Sequence, residues 1–309
     1  MDPEVKDALR SYLSSRKDIA FSLLFGSALT GRRTVESDVD IAVYFYDPAP
    51  PGEGPPSSGP PGQDDGEASA PPDEVQPLEI EEDLTFPQED EVWAALDRIV
   101  QSEVDLVVLN RAPATVGSAA AEEGELLSLR DQDLFTRYRL AAFRLAVEFR
   151  EFQRDFIAIR RRSRSLSPRD EARLERIAEY VRDELEDASL YREATHHRYR
   201  EDAHFRLGLE RWIENLVNAS IDIAKIVVAS QRLPATQTYR ESLQSLQSVE
   251  EFSTLAEPLS RNTKIRNALA HEYLDIRYRE VARVAAEAEE LYGRLAAATD
   301  NYLRHKRGE

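Results

Sequence analysis

The spacing of apolar positions changes character about a third of the way along the chain. Residues 3–15 set apolar side chains at helical intervals among charges, which predicts an amphipathic opening helix and not a signal peptide. Residues 19–25, IAFSLLF, form a short apolar run that predicts a strand, broken by Gly26 and Ser27. A second strand is predicted over 39–46. A helix opened by Pro87 follows, with Val92, Leu96, Ile99 and Val100 on one face, and then a third strand over 103–109. Beyond Asn110 the pattern predicts no further strand. Helices are expected over 132–160, 169–191, 204–231, 238–248, 255–273 and 280–304, with Trp93 and Trp212 in the core. A strand-rich first third and a helical remainder imply two domains: an α+β domain over 1–150 and an all-α bundle over 168–309. Residues 151–167 between them form a hinge that carries the basic run Arg160-Arg-Arg-Ser-Arg164.

Composition alters this picture in three places. Residues 47–77 hold ten of the chain's 16 prolines and five of its 12 glycines. Such a stretch buries too little apolar surface to offset its ordering entropy, so 47–78 is expected to be a disordered insertion between strands of one sheet. The formal charge of −18 is unevenly distributed: residues 1–159 carry 14 Lys and Arg against 32 Asp and Glu, whereas 160–309 carry 26 of each. The acidic total therefore leaves room for a locally basic surface in the second half. The absence of cysteine excludes disulfides, cysteine-ligated zinc and thiol catalysis, and suits the reducing cytoplasm expected here. No apolar run reaches the roughly 20 residues of a membrane-spanning helix.

The densest chemistry lies between the first two strands. Gly26 permits a tight turn with close backbone approach, and Ser27 can donate to a phosphate oxygen. Ten residues later come Asp38 and Asp40, expected on one face of a strand because residues two apart point the same way. Asp105 sets a third charge among Val and Leu of the next strand, where burial is costly unless it is paired or bound to metal. Three carboxylates from adjacent strands would form a Mg²⁺ site able to bridge nucleotide phosphates.

This arrangement of Gly-Ser, ten residues and Asp-x-Asp resembles the polymerase-beta type nucleotidyltransferases. SDVDIAV at 37–43 and VDLVVLNRAP at 104–113 are similar to the minimal nucleotidyltransferases. The resemblance implies that Asp38, Asp40 and Asp105 hold Mg²⁺ or Mn²⁺, with Asp105 also catalytic, and that Gly26 and Ser27 bind the triphosphate of ATP. Ala28 departs from the pattern, since many minimal members carry Arg after Gly-Ser; Arg32 and Arg33 are the nearby substitutes.

A second cluster, KIRNALAHEY, occupies 264–273. Arg266 is suited to stabilising a phosphorane-like transition state, Asn267 to orienting phosphate or water, and His271 to acid or base work near neutral pH. Five residues turn an ideal helix by roughly 140°, so Arg266 and His271 do not share a face, whereas Tyr273 returns to within about 20° of Arg266. A working site thus needs a helix irregularity, a long arginine reach or a second subunit. The block resembles the Arg-x4-His-x-Tyr motif of the HEPN superfamily, HepT toxin subgroup, and NASIDIAKIVV at 218–228 and LPATQTYRE at 233–241 are similar to that subgroup's helices.

In that family a minimal nucleotidyltransferase antitoxin adenylylates the tyrosine of its partner toxin. The resemblance therefore implies a fusion, with an α+β nucleotidyltransferase domain followed by an all-α HEPN bundle. Tyr273 would be the modification target, Arg266, Asn267 and His271 the ribonuclease residues, and RNA (tRNA among the candidates) the partner. Pairing of two chains through HEPN helices is expected, and no membrane partner. Two other readings stay open at this stage: a small-molecule nucleotidyltransferase of the aminoglycoside-modifying kind, and a regulator whose sites have decayed. His196, His197 and His204 are expected on a solvated or RNA-facing surface.

Overall fold

The first three predicted strands, read from short apolar runs, belong to a four-stranded sheet, followed in the chain by helices. The computed structural model describes residues 1–26, 38–46, 78–266, 269 and 274–308; the Pro-rich stretch 47–77 lies outside them. The chain divides into two compact units. One draws its described residues from Met1–Pro77, Leu84–Val108 and Gly124–Phe135, the other from Leu78–Asp83, Leu109–Glu123 and Thr136–Glu309.

In the first unit, α1 (Pro3–Ser15) starts where the Asp2 carboxylate accepts from the Glu4 N–H at 2.9 Å, with Pro3 at the first helical position. Strands β1 (Ile19–Phe25) and β2 (Val39–Phe45) follow, then α2 (Glu89–Val100) and β3 (Val104–Val108). With a fourth strand, β4 (Glu125–Leu129), the sheet order is β3-β2-β1-β4, with β1 antiparallel to both neighbours and β2 parallel to β3. Val39, Ile41, Val43 and Phe45 of β2 share a core with Leu9 and Leu13 of α1 and with Val92 and Leu96 of α2. Side chains alternate across a strand, so the intervening Asp40, Ala42 and Tyr44 belong to the opposite face, where Tyr44 stacks on Phe21 at 4.9 Å.

β4 (Glu125–Leu129) is a strand that the pattern does not predict. Within it only Leu127 is buried, and its place comes from pairing with β1 and from a Ser22–Ser128 hydroxyl contact of 2.6 Å. Lys6 and Arg10 of α1 both reach Glu125 at 2.6 Å. Trp93 corrects the expectation of a core position: it is 46% exposed, and its indole donates to the Val104 carbonyl at 3.0 Å. Trp212, in the second unit, is buried as expected.

The second unit is helical, as the 3.6-residue periodicity requires. α3 (Ala114–Glu123) was not anticipated. α4 (Gln132–Arg162) runs without a break through residues 150 and 151, so the basic residues Arg160, Arg161 and Arg162 form its last turn. α5 (Pro168–Leu185), α6 (Ala188–Tyr191) and α7 (His196–Glu201) lead to α8 (Ala203–Ser230), whose C-terminal half is buried almost all round. Side-chain oxygens of Ser167, Thr195 and Asp202 cap α5, α7 and α8 by accepting orphan N–H groups. α9 (Tyr239–Gln244), capped by Thr238, precedes α10 (Ala256–Arg261) and the terminal α11 (Leu274–Arg307). Phe149, Phe152 and Phe156 stack along α4, with the Tyr239 ring edge-on to the first two at 5.2 and 5.3 Å.

The helix expected over 255–273 is interrupted. A 3₁₀ turn occupies Asn262–Lys264, where the side-chain Oδ1 of the buried Asn262 accepts from Arg283 at 3.0 Å. Among the described residues, no helix is long and apolar enough to cross a membrane.

Candidate functional site

The carboxylate site begins at the end of β1. Gly26 has φ +73, a left-handed conformation that side chains rarely adopt, and a Cβ built there would lie 2.0 Å from Oδ2 of Asp40. Glycine is thus required twice over, by the turn and by the carboxylate pressed against its backbone. Asp40 pairs across the parallel strands with Asp105, register for register, and faces Phe25 of β1 on its other side. Adjacent strands lie about 4.8 Å apart, so two like charges are held side by side on the face opposite α1 and α2. Asp40 is half-buried and Asp105 exposed. Asp38 is exposed and lies one residue before β2 begins, so the pair held by sheet register is Asp40 with Asp105. Ser27 lies outside the described residues.

Hard oxygen donors in this pairing suit a divalent cation such as Mg²⁺ or Mn²⁺, which relieves the repulsion between them. Among the described residues no group of three or more ligating side chains is assembled.

The arginine cluster lies in the second unit. Arg266 follows the 3₁₀ turn at Asn262–Lys264, which precedes the Arg–His interval and leaves the angle between those two residues unchanged. Its guanidinium is paired with the Glu148 carboxylate of α4 and lies over the Tyr239 ring at 4.6 Å. Burial pushes the Tyr239 phenol up to about 12, against the pull of Arg266. Glu81 approaches from the segment before α2. Its carboxylate accepts from the Ala114 N–H at 2.8 Å, and its backbone has φ +58. Burial raises the Glu81 carboxyl to about 7, although the Ala114 N–H and Arg266 act in the opposite direction. Asn267, His271 and Tyr273 lie outside the described residues.

A family model for polymerase beta nucleotidyltransferases matches residues 7–53, and one for ribonuclease HepT-like proteins matches residues 171–296. The chain joins a nucleotidyltransferase domain to a HepT-like domain. The first match spans Gly26, Asp38 and Asp40, and the second spans Arg266. The sheet with its helices and the helical second half agree with those two families in turn. Comparisons with curated proteins and with solved structures return no match.

Glu148, Tyr239 and Glu81 escape a reading of the sequence alone. Tyr239 falls inside the HepT-like stretch 233–241, which was a usable signal. Glu148 and Glu81 are 118 and 185 residues from Arg266 in sequence, and nothing local marks them. His196, His197 and His204 are exposed, His196 against the Tyr278 ring at 4.9 Å.

Proposed function

We propose that this chain is a single-chain, toxin–antitoxin-like enzyme whose nucleotidyltransferase domain moves AMP from ATP onto Tyr273 and so silences a ribonuclease centred on Arg266 and His271. The observation that supports this most is the register of Asp40 with Asp105 against Gly26, in a chain whose second half matches the HepT-like family. In the transfer, the Tyr273 phenolic oxygen bonds to the α-phosphorus of ATP. The bond to the bridging oxygen breaks, pyrophosphate leaves, and the phenolic proton passes to solvent. Asp38, Asp40 and Asp105 would hold the divalent cation, which supplies neutralisation of the triphosphate charge. Gly26 holds the turn that carries Ser27, whose hydroxyl donates to a phosphate oxygen.

In RNA cleavage, the 2′-hydroxyl oxygen bonds to the adjacent phosphorus and the bond to the 5′-oxygen breaks, which leaves a 2′,3′-cyclic phosphate. His271 takes the hydroxyl proton, Arg266 stabilises the charge gathering on the phosphoryl oxygens, and Asn267 orients the phosphate. The departing 5′-oxygen takes its proton from water. AMP on Tyr273 adds bulk and negative charge beside groups that hold an RNA phosphate. One chain fixes catalyst and target in equal amounts and at high local concentration.

Intact mass of purified protein, wild type beside Asp38→Ala/Asp40→Ala, tests the transfer. One or more AMP units mapped to Tyr273 in wild type and missing from the variant is the expected result. A wild type that stays unmodified with ATP and Mg²⁺ would overturn the reading.

A further inference from the structure

Three cations of the second unit converge on one acidic segment of the same unit. Residues 79–83, Glu-Ile-Glu-Glu-Asp, run beside Arg240, Lys264 and Arg266. Glu82 lies 4.0 Å from Lys264, and Asp83 lies 3.8 Å from Arg240. Glu81 faces Arg266, which in turn is paired with Glu148. The segment is fixed by its neighbours. Leu78 and Ile80 are buried, Asn110 donates to Glu79 at 2.7 Å, and the Glu82 N–H donates to the Asn110 carbonyl at 3.1 Å. Between the segment and the cations remains a cavity of about 10 Å³, lined by Glu81, Glu82, Tyr239, Arg240, Lys264 and Arg266. That is room for about one water molecule and not for a phosphate.

We propose that Arg240 and Lys264, beside Arg266, form a subsite for the phosphodiester backbone of RNA, and that the acidic segment 79–83 occupies this subsite as an internal stand-in for phosphate. The assignment rests on the reading of Arg266 as an RNA-facing residue and adds two cations and a competitor to it. Arginine forks and a lysine point charge are the side chains that recognise backbone phosphate. The internal anions are held on poor terms. Burial raises the carboxyls of both Glu81 and Glu82, so desolvation outweighs the attraction of the cations beside them. A phosphodiester remains ionised at neutral pH and keeps its charge toward the same cations, whereas the Glu81 carboxyl, raised to about 7, is in part protonated there. Bound RNA therefore displaces the segment, and the fraction of time the segment is undocked sets the apparent affinity.

The test measures binding of a short, fluorescein-labelled 2′-O-methyl RNA of mixed sequence to the full chain, by anisotropy at one fixed salt concentration. Protein whose intact mass carries no AMP is used throughout. This RNA lacks the attacking hydroxyl, so the readout is independent of cleavage. Leu78→Ala/Ile80→Ala loosens the buried anchors of the segment. Glu82→Ala/Asp83→Ala removes the carboxylates opposite Lys264 and Arg240 and leaves the anchors intact. Each variant is expected to bind about tenfold more tightly than wild type, which corresponds to a segment undocked about a tenth of the time. Adding Arg240→Ala/Lys264→Ala to either is expected to abolish the gain. Unchanged affinity in a folded variant, or a gain that survives loss of both cations, would overturn the proposal; if the anchor variant does not fold, the carboxylate variant decides. A chain that behaves as expected here yet cuts no unmodified RNA loses the ribonuclease reading and keeps this one.

Discussion

Gly26 is the residue on which the transferase geometry turns. A methyl group at that position meets Asp40 Oδ2 at 2.0 Å and must also adopt φ +73, so Gly26→Ala has to displace a carboxylate that the proposed transfer uses. A displacement on the order of 1 Å costs about 10²-fold in rate, and the backbone conformation adds about 1–2 kcal/mol of destabilisation. The rate of AMP incorporation, followed by intact mass with ATP and Mg²⁺, is expected to fall by at least that factor while the protein still folds. Glu81 makes a different prediction. Its carboxyl faces the Ala114 N–H, Arg266, Glu82, Glu241, Tyr138 and Tyr239, and burial lifts it from 4.5 to about 7. A carboxyl raised on folding contributes stability that is fully present below pH 4.5 and lost as pH rises through about 7. Glu81→Gln keeps the protonated character at every pH. The variant is expected to match wild type near pH 4.5 and to exceed it at pH 8 by roughly 1–3 kcal/mol. Urea unfolding at the two pH values checks this; equal stabilities at pH 8 would remove the burial argument.

At the scale of elements, the aromatic row on α4 links the bundle core to the arginine. Phe152 stacks between Phe149 and Phe156 and meets Tyr239 edge-on, and Tyr239 in turn lies beneath Arg266. Phe152→Ala removes a buried ring from a close-packed site, at a cost of about 3–5 kcal/mol. Urea unfolding is expected to show that loss, with RNA cleavage falling as Tyr239 loses its edge-on support. A loss below about 1 kcal/mol would mean that the neighbours collapse into the gap. The 3₁₀ turn at Asn262–Lys264 belongs to the same scale. Its sequence, Asn-Thr-Lys, carries no breaker, and the irregularity coincides with the buried contacts of Asn262 with Tyr292 and Arg283.

For the whole molecule, the two proposed chemistries separate by their need for metal. AMP transfer draws on three carboxylates and a divalent cation, whereas RNA cleavage draws on an arginine and a histidine. EDTA added to unmodified protein is therefore expected to halt AMP incorporation and to leave RNA cleavage within about twofold of its starting rate, because no cleavage step uses a carboxylate-held metal. Incorporation measured by mass and cleavage measured on a labelled RNA, in parallel on one sample, check this. Loss of both activities would place a metal in the ribonuclease site.

The two-part plan, the first three strands, the helical second half and the two motifs were legible in the order of residues. These follow from local chemistry: short apolar runs, period-3.6 spacing, a glycine at a turn, and carboxylates or an Arg–His pair at fixed intervals. Tertiary structure alone decided what depended on residues distant along the chain. β4 became a strand by pairing with β1, since a run of five residues with one buried leucine carries little pattern of its own. Asp40 was set beside Asp105 by the parallel register of β2 with β3, where a one-residue slip would have put them on opposite faces. The acidic segment 79–83 came to lie beside Arg240, Lys264 and Arg266 through contacts more than 150 residues apart in the chain. Periodicity reports which face of an element is apolar. It contains no information about which distant charge that element will meet, because pairing of that kind is fixed only when the core closes.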